Sequence, residues 1–260
     1  FEYGQIDDVR DKFDRYAVSL GVRYDDDARI KASAKIEYRL DEGTITGIAR
    51  DQNALFFNAG LRYKINEEQR IIANFDYARS TSSTGSLPNG NYTDVTLGYA
   101  LRPIENDRLN ILAKYRYLHD MVGQEIDGVA GSGPRQESHV LSVDASYDLS
   151  QNWTIGGKVG GRLGRSSPSQ GVAFQQNDAY LAIINARYHM THKWDILLEA
   201  RHLEARQAGL SESGLVGAVY RHVGNNLKIG LGYNMGRFSD DLTDLTFDDK
   251  GIFVNLVAKF

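Results

Sequence analysis

Apolar and polar residues alternate along most of this chain, in short blocks separated by turn-forming residues. From Tyr16 to Tyr24, the positions Tyr16, Val18, Leu20, Val22 and Tyr24 share one face of an extended strand. Ala17, Ser19, Gly21 and Arg23 share the other. The block from Ile30 to Leu40 is sharper, with Ile30, Ala32, Ala34, Ile36 and Tyr38 opposing Lys31, Ser33, Lys35, Glu37 and Arg39. A period of two belongs to β-strands, whose successive side chains point to opposite faces. A strand with a wholly polar face cannot lie in a dry sandwich core, because unpaired polar groups are costly there. Such a strand needs apolar material on one side and water on the other.

The same pattern predicts strands over 54–64, 70–79, 92–101, 108–118, 138–149, 153–164, 178–190, 194–204, 213–223, 227–237 and 251–260. The connections are expected to alternate between short and long. Asp25–Asp27, Asn66–Glu68, Asn106–Asp107, Ser150–Asn152, Thr191–Lys193 and Gly224–Asn226 are short, polar and turn-forming. The stretches 41–53, 80–91, 119–137, 165–177, 205–212 and 238–250 are long and rich in Gly, Ser, Asp and Pro. Short turns on one side and long loops on the other is the layout of membrane-spanning barrels, whose strand number is even. Residues 1–8 are therefore expected to supply the first strand and 9–15 the first outer loop. The expected fold is all-β: one transmembrane, antiparallel, up-and-down β-barrel domain over 1–260, with about 14 strands.

Aromatic placement argues for lipid rather than water outside. Tyr24, Tyr63, Tyr99, Tyr147, Trp153, Tyr188, Trp194, Tyr220 and Phe260 fall on the apolar face near the short-turn end. Tyr16, Tyr38, Phe57, Tyr77, Tyr117, Tyr180 and Tyr233 fall on that face toward the other end, while Tyr92 has the opposite parity. Small and aliphatic residues fill the band between. Two aromatic belts around an apolar band match the two interfaces of a bilayer.

Composition changes this picture little. The chain is 42% hydrophobic with a mean hydropathy of -0.42, and no run approaches the ~20 apolar residues of a membrane helix. A barrel is still permitted, since only every second residue of its strands must be apolar. The absence of Cys excludes a disulfide framework and thiolate metal sites. A net charge of -4 gives no reason to expect nucleic acid. The opening Phe1-Glu2-Tyr3 is unlike a signal peptide, and the expectation is a mature or trimmed fragment.

The last strand alternates Ile252, Val254, Leu256, Ala258 and Phe260 with Phe253, Asn255, Val257 and Lys259, and it ends in an aromatic residue. This resembles the C-terminal signal of bacterial outer-membrane barrel proteins. The resemblance implies that Leu256, Ala258 and Phe260 are read by the barrel assembly machinery. It also implies an outer-membrane location, among membrane lipid and lipopolysaccharide. The segments Tyr220–Asn234 and Phe238–Leu245 resemble the end of barrel modules that close large, repeat-containing surface proteins. There the barrel would act as a membrane anchor.

Candidate chemistry is sparse. Ser138, His139 and Asp120 lie near one another in sequence without the spacing of a hydrolase triad, so no enzyme is expected. Asp240, Asp241, Asp244, Asp248 and Asp249 make the last outer loop acidic but lack the register of a calcium loop. A solvated loop, or one bridged to lipopolysaccharide by divalent ions, is expected, with no resident metal or cofactor. The run Gly156–Arg162 lacks phosphate-loop order, and its glycines are expected to bend a wall.

The face opposite the apolar one carries Lys31, Lys35, Arg39, Arg62, Lys114, Arg116, Lys158, Arg162, Arg187 and Arg201, with Arg23, Lys64, Arg70, Arg108, Arg221, Lys228 and Lys259. Glu37, Asp76, Asp94, Asp144, Asp148, Asp195 and Glu199 share it, so basic groups prevail. Such groups require a hydrated lumen or a paired network across it. Gly232, facing that lumen, is expected to accept serine, whereas Leu231 on the lipid face should reject arginine. Two functions follow as expectations: an anchor or translocator-like module of a larger surface protein, and a passive diffusion pore with a weak preference for anions.

Overall fold

The computed structural model describes residues 2–7, 12–26, 29–45, 48–49, 51–82, 90–126, 129–169, 171–224, 226–236, 242 and 250–258. Its elements are β1 (Glu2–Asp7), β2 (Lys12–Asp26), β3 (Ile30–Ile45), β4 (Ile48–Ala49), β5 (Gln52–Lys64), β6 (Gln69–Ser82), β7 (Asn91–Leu101) and β8 (Leu109–Ile126). There follow β9 (Val129–Asp148), β10 (Trp153–Ser167), β11 (Gln175–Gln176), β12 (Ala179–Thr191), β13 (Trp194–Ala205), β14 (Leu210–Val223), β15 (Leu227–Asn234) and β16 (Gly251–Ala258). Fourteen of them pair antiparallel in sequence order, and the two-residue strands β4 and β11 extend the β3 and β10 hairpins. Among the described residues no ladder joins β1 to β16, which are the margins of the sheet.

Directly paired residues point to the same side, so the ladders carry one face across every strand. Tyr24 pairs with Ala32, Ala32 with Leu61, Leu61 with Ala73 and Ala73 with Leu97. At the other margin Leu198 pairs with Gly217, Gly217 with Tyr233, and Tyr233 with Ile252. This face is apolar and bare: Leu20 is 74% exposed and Val254 71%. In water it would be an aggregating surface; in hydrocarbon each large side chain gains roughly 1.5–3 kcal/mol. The backbone groups meanwhile are bonded between neighbouring strands, as a membrane-spanning sheet requires. The fold is that of an outer-membrane β-barrel.

The connections on the short side follow expectation closely. Gly224 turns between β14 and β15 at φ +64, a left-handed conformation that favours glycine. On the long side several expected loops are strand. Residues 41–45 continue β3, and most of 119–137 forms the paired ends of β8 and β9, out to Ile126 opposite Val129. β2 likewise starts at Lys12, within the expected first loop. Between β13 and β14 only residues 206–209 turn, with Gly209 at φ +61. Turn-rich composition masked this pairing, because a hairpin standing clear of the membrane needs no apolar face and loses the alternation.

Candidate functional site in the lumen

All ten basic residues singled out from the sequence lie on the inward face. Lys31 is opposite Arg62, Lys35 opposite Asn58 and Arg39 opposite Ala54. Lys114 and Arg116 face Ser142 and Val140, and Lys158 and Arg162 face Ile183 and Ala179. Arg187 is opposite Leu197, and Arg201 is opposite Ile183. Most of the expected aromatic belt faces outward, and Trp153 and Tyr188 meet there with ring centroids 4.8 Å apart. Tyr92 points inward, where its hydroxyl donates to Asp94 at 3.2 Å.

One strand departs from the expected register. Tyr220 pairs with Gly230 on the inward face and is only 8% exposed, while its neighbour Arg221 is outward. Leu215, Val216, Ala218, Val219 and Tyr220 make β14 apolar on both faces, so alternation cannot choose between them. The deciding signal lies in the partner strands. Gly230 leaves room for the Tyr220 ring, and Gly232 for the Phe253 ring; a Cβ on either glycine would collide with the ring it faces. Arg221 instead lies over the Trp194 ring, 5.4 Å from its centroid, at the short-turn interface. There a long cation can bury its stem and keep its head wet. Arg108 belongs to the turn before β8 rather than to a strand. Phe260, Lys259 and the aspartates of 240–249 lie outside the described residues.

The lumen wall has two unlike parts. Along β2–β8 it is polar, and small residues open a cavity of about 630 Å³ whose lining includes Gly21, Ser33, Gly60, Asn74 and Thr96. Arg23, Lys35, Asn58, Asp76, Asp94 and Arg116 supply its polar groups. Many of these charges are knitted together. Arg116 grips Asp94 with Nη2 at 2.6 Å and Nε at 3.0 Å, and Asn58 donates to Asp76 at 2.6 Å. Glu37 accepts from both Lys35 and Arg39 at 2.9 Å, and Lys31 lies 3.0 Å from Asp25. Arg201 pairs with Glu199. The main effect of these pairs is to hold the groups against the wall. Arg62, Lys114 and Arg187 make no ion pair with any described residue.

Along β9–β13 an apolar patch interrupts the charged and polar residues of the wall. Val140, Ala179, Leu181 and Leu203 form a buried cluster, and Leu242 from the β15–β16 connection packs into it. Leu242 is 3% exposed, and its carbonyl accepts from Arg162 Nη1 at 2.9 Å. Arg162 is itself 1% exposed, so a lumen-facing cation is consumed in holding a loop residue against the wall. Sequence reading could not find this contact, since the two residues lie far apart in the chain and Leu242 sits in an acidic loop.

Near the short-turn end, Asp195 gathers three donors. His189 Nδ1 lies 2.8 Å from Oδ1, while His222 Nε2 at 2.9 Å and Lys228 Nζ at 2.8 Å share Oδ2. Asp195 is 3% exposed and is fully engaged, which makes the cluster a clamp between β12, β13, β14 and β15. Among the described residues no group of His, Asp and Glu has the arrangement of a metal site.

No protein-family model matches the chain, and no curated protein matches its sequence. Solved structures do match its fold. The siderophore receptor PirA from Acinetobacter baumannii superposes with a TM-score of 0.66 at 10% identity, over 91% of this chain and 42% of that one. The ferric citrate transporter FecA gives 0.59 at 14% identity, over 94% and 46%. The ferric enterobactin receptor PfeA from Pseudomonas aeruginosa, an R480A mutant with enterobactin, gives 0.63 at 7% identity, over 92% and 44%. The chain spans less than half the length of these receptors. At such identities the likeness concerns the fold alone.

Proposed function

We propose that the barrel is a passive channel with a preference for small, hydrated anions. The observation that carries this reading is the polar part of the lumen, where Gly21, Ser33 and Gly60 leave a cavity edged by three cations, Arg23, Lys35 and Arg116, against two carboxylates, Asp76 and Asp94. Below it Arg62 and Lys114 have no carboxylate partner among the described residues. Unpaired cations in a narrow wet passage offset the cost of bringing in an anion and raise the barrier to a cation. The structures of similar fold, a siderophore receptor and a ferric citrate transporter, are compatible with a role in solute passage. Liposome swelling tests the reading. An organic monocarboxylate should enter faster than a neutral polyol of equal size, and a comparable ammonium slowest. Equal rates, or fastest entry by the cation, would overturn it.

The second reading, an anchor for a larger surface protein, draws on the Leu242–Arg162 contact, which holds a residue of the β15–β16 connection on the inward face. It also keeps the resemblance of 220–245 to anchoring modules. An anchor of this kind predicts no solute entry at all.

A further inference from the structure

On the outer surface of the wall, just above the upper aromatic belt, two arginines share one aromatic ring. The ladders fix their level. Leu163 pairs with His139, whose ring lies 4.9 Å from that of the belt residue Tyr117. Arg165 is the next outward residue up β10, opposite Glu137, and the next pair above it is Ser167 with Arg135. Arg135 and Arg165 lie over the ring of Phe174, with their guanidinium carbons 4.6 and 4.9 Å from its centroid. The loop that brings Phe174 there is tied down over the exterior. Ser167 Oγ is 2.7 Å from Ser169 O and 2.9 Å from Val172 O, and Arg135 Nη2 donates to Val172 O at 3.2 Å.

The charges here do not balance. Glu137 Oε2 accepts from Arg165 Nε at 2.9 Å and Nη2 at 2.6 Å, and it also accepts a bond from Tyr117 through Oε1 at 3.3 Å. That one carboxylate answers one guanidinium, whereas among the described residues Arg135 is met by a backbone carbonyl and the Phe174 ring and by no carboxylate. Two like charges stacked on one ring repel, and an anion between their free edges would relieve this. Each planar fork retains donors after these contacts, and forks of this kind suit phosphate oxygens in pairs. The ring holds both forks in place through cation–π attraction.

We propose that Arg135, Phe174 and Arg165 form an exterior site for a phosphorylated lipid headgroup, that of lipopolysaccharide in the outer leaflet. The level is the argument for lipid: the site stands on the lipid side of the wall, one step beyond the interfacial aromatic belt. Basic clusters at a membrane surface attract anionic headgroups. The site is independent of whether the lumen conducts.

Retention of lipopolysaccharide by the folded full chain in detergent, counted by native mass spectrometry, tests the proposal. The wild type should hold the lipid through exchange into lipid-free micelles. Arg135→Gln with Arg165→Gln should weaken that binding by about tenfold or more, and lipid A stripped of its phosphates should bind as poorly to the wild type. Arg62→Gln with Lys114→Gln, a lumen pair of the same charge change, should leave retention unaltered. All variants are to show the same heat-modifiable gel mobility, which reports a folded barrel. Unchanged binding by the exterior variant would overturn the site, as would equal binding of dephosphorylated lipid A or an equal loss in the lumen variant. Displacement by millimolar inorganic phosphate would identify a free-anion site instead and overturn the assignment to lipid.

Discussion

Tyr220 and Gly230 face each other across the β14–β15 ladder, and the glycine leaves the space that the tyrosine ring fills. Beside them Gly232 does the same for Phe253, with the Cβ of Ala218 also close. Gly232→Ser, which strand alternation alone marks as harmless, should therefore destabilise the barrel by roughly 1–3 kcal/mol through overpacking. Gly230→Ala should do likewise. Urea midpoints in detergent, followed by tryptophan fluorescence, check both, and wild-type midpoints would show that the rings have room to move aside.

Leu231, one residue along and 59% exposed on the opposite face, tests the lipid side. Leu231→Arg should cost roughly 2–4 kcal/mol if the position lies near the bilayer midplane. Folding efficiency into lipid vesicles is the measurement. The penalty should shrink for Arg substituted at Val223, which lies at the turn end of the exterior of β14.

Strand periodicity makes the two-faced sheet, its sequential pairing and nearly all of its inward basic residues legible in the sequence. Lys31, Lys35 and Arg39 alternate so cleanly with Ala32, Ala34, Ile36 and Tyr38 that only one register is possible. The pattern is silent where that contrast vanishes. In β14 both faces are apolar, and the orientation depends on the glycines of the next strand. It is silent again at the outer ends of hairpins such as β8–β9, where the sequence is turn-rich and the alternation is lost. Of the candidate site, the residues were legible and their pairing was not. Which cation meets which carboxylate depends on side-chain reach across several strands, and the Arg162–Leu242 contact depends on a loop fold that local pattern does not encode.

The clamp around Asp195 should matter for stability more than for passage. Asp195→Asn removes the negative charge that faces His189, His222 and Lys228 in a nearly buried setting. A loss of roughly 1–3 kcal/mol is expected, since the remaining polar groups keep only a weaker acceptor. Thermal unfolding in detergent reports it, and single-channel conductance should be unchanged in the folded fraction. An unchanged melting temperature would show the cluster to be incidental.

Arg162 holds Leu242 against the inward face of the wall, and freeing that residue should widen the passage. Leu242→Asp places a charge against Val140, Leu181 and Leu203 and should expel that residue from the wall. Arg162→Ala removes the donor that holds its carbonyl. Both variants should raise single-channel conductance over that of the wild type. A fall, or no change in either, would mean that this contact does not limit passage.

The proposed anion channel is tested most directly by its reversal potential. The purified protein is placed in a planar bilayer with a roughly tenfold KCl gradient kept below about 0.1 M, so that screening does not hide the lumen charges. A potential of the sign set by chloride is expected. Arg62→Glu with Lys114→Glu, which reverses two cations that have no ion pair among the described residues, should shift it toward the potassium side. A wild-type potential of the potassium sign, or a bilayer that stays silent with folded protein inserted, would contradict the account.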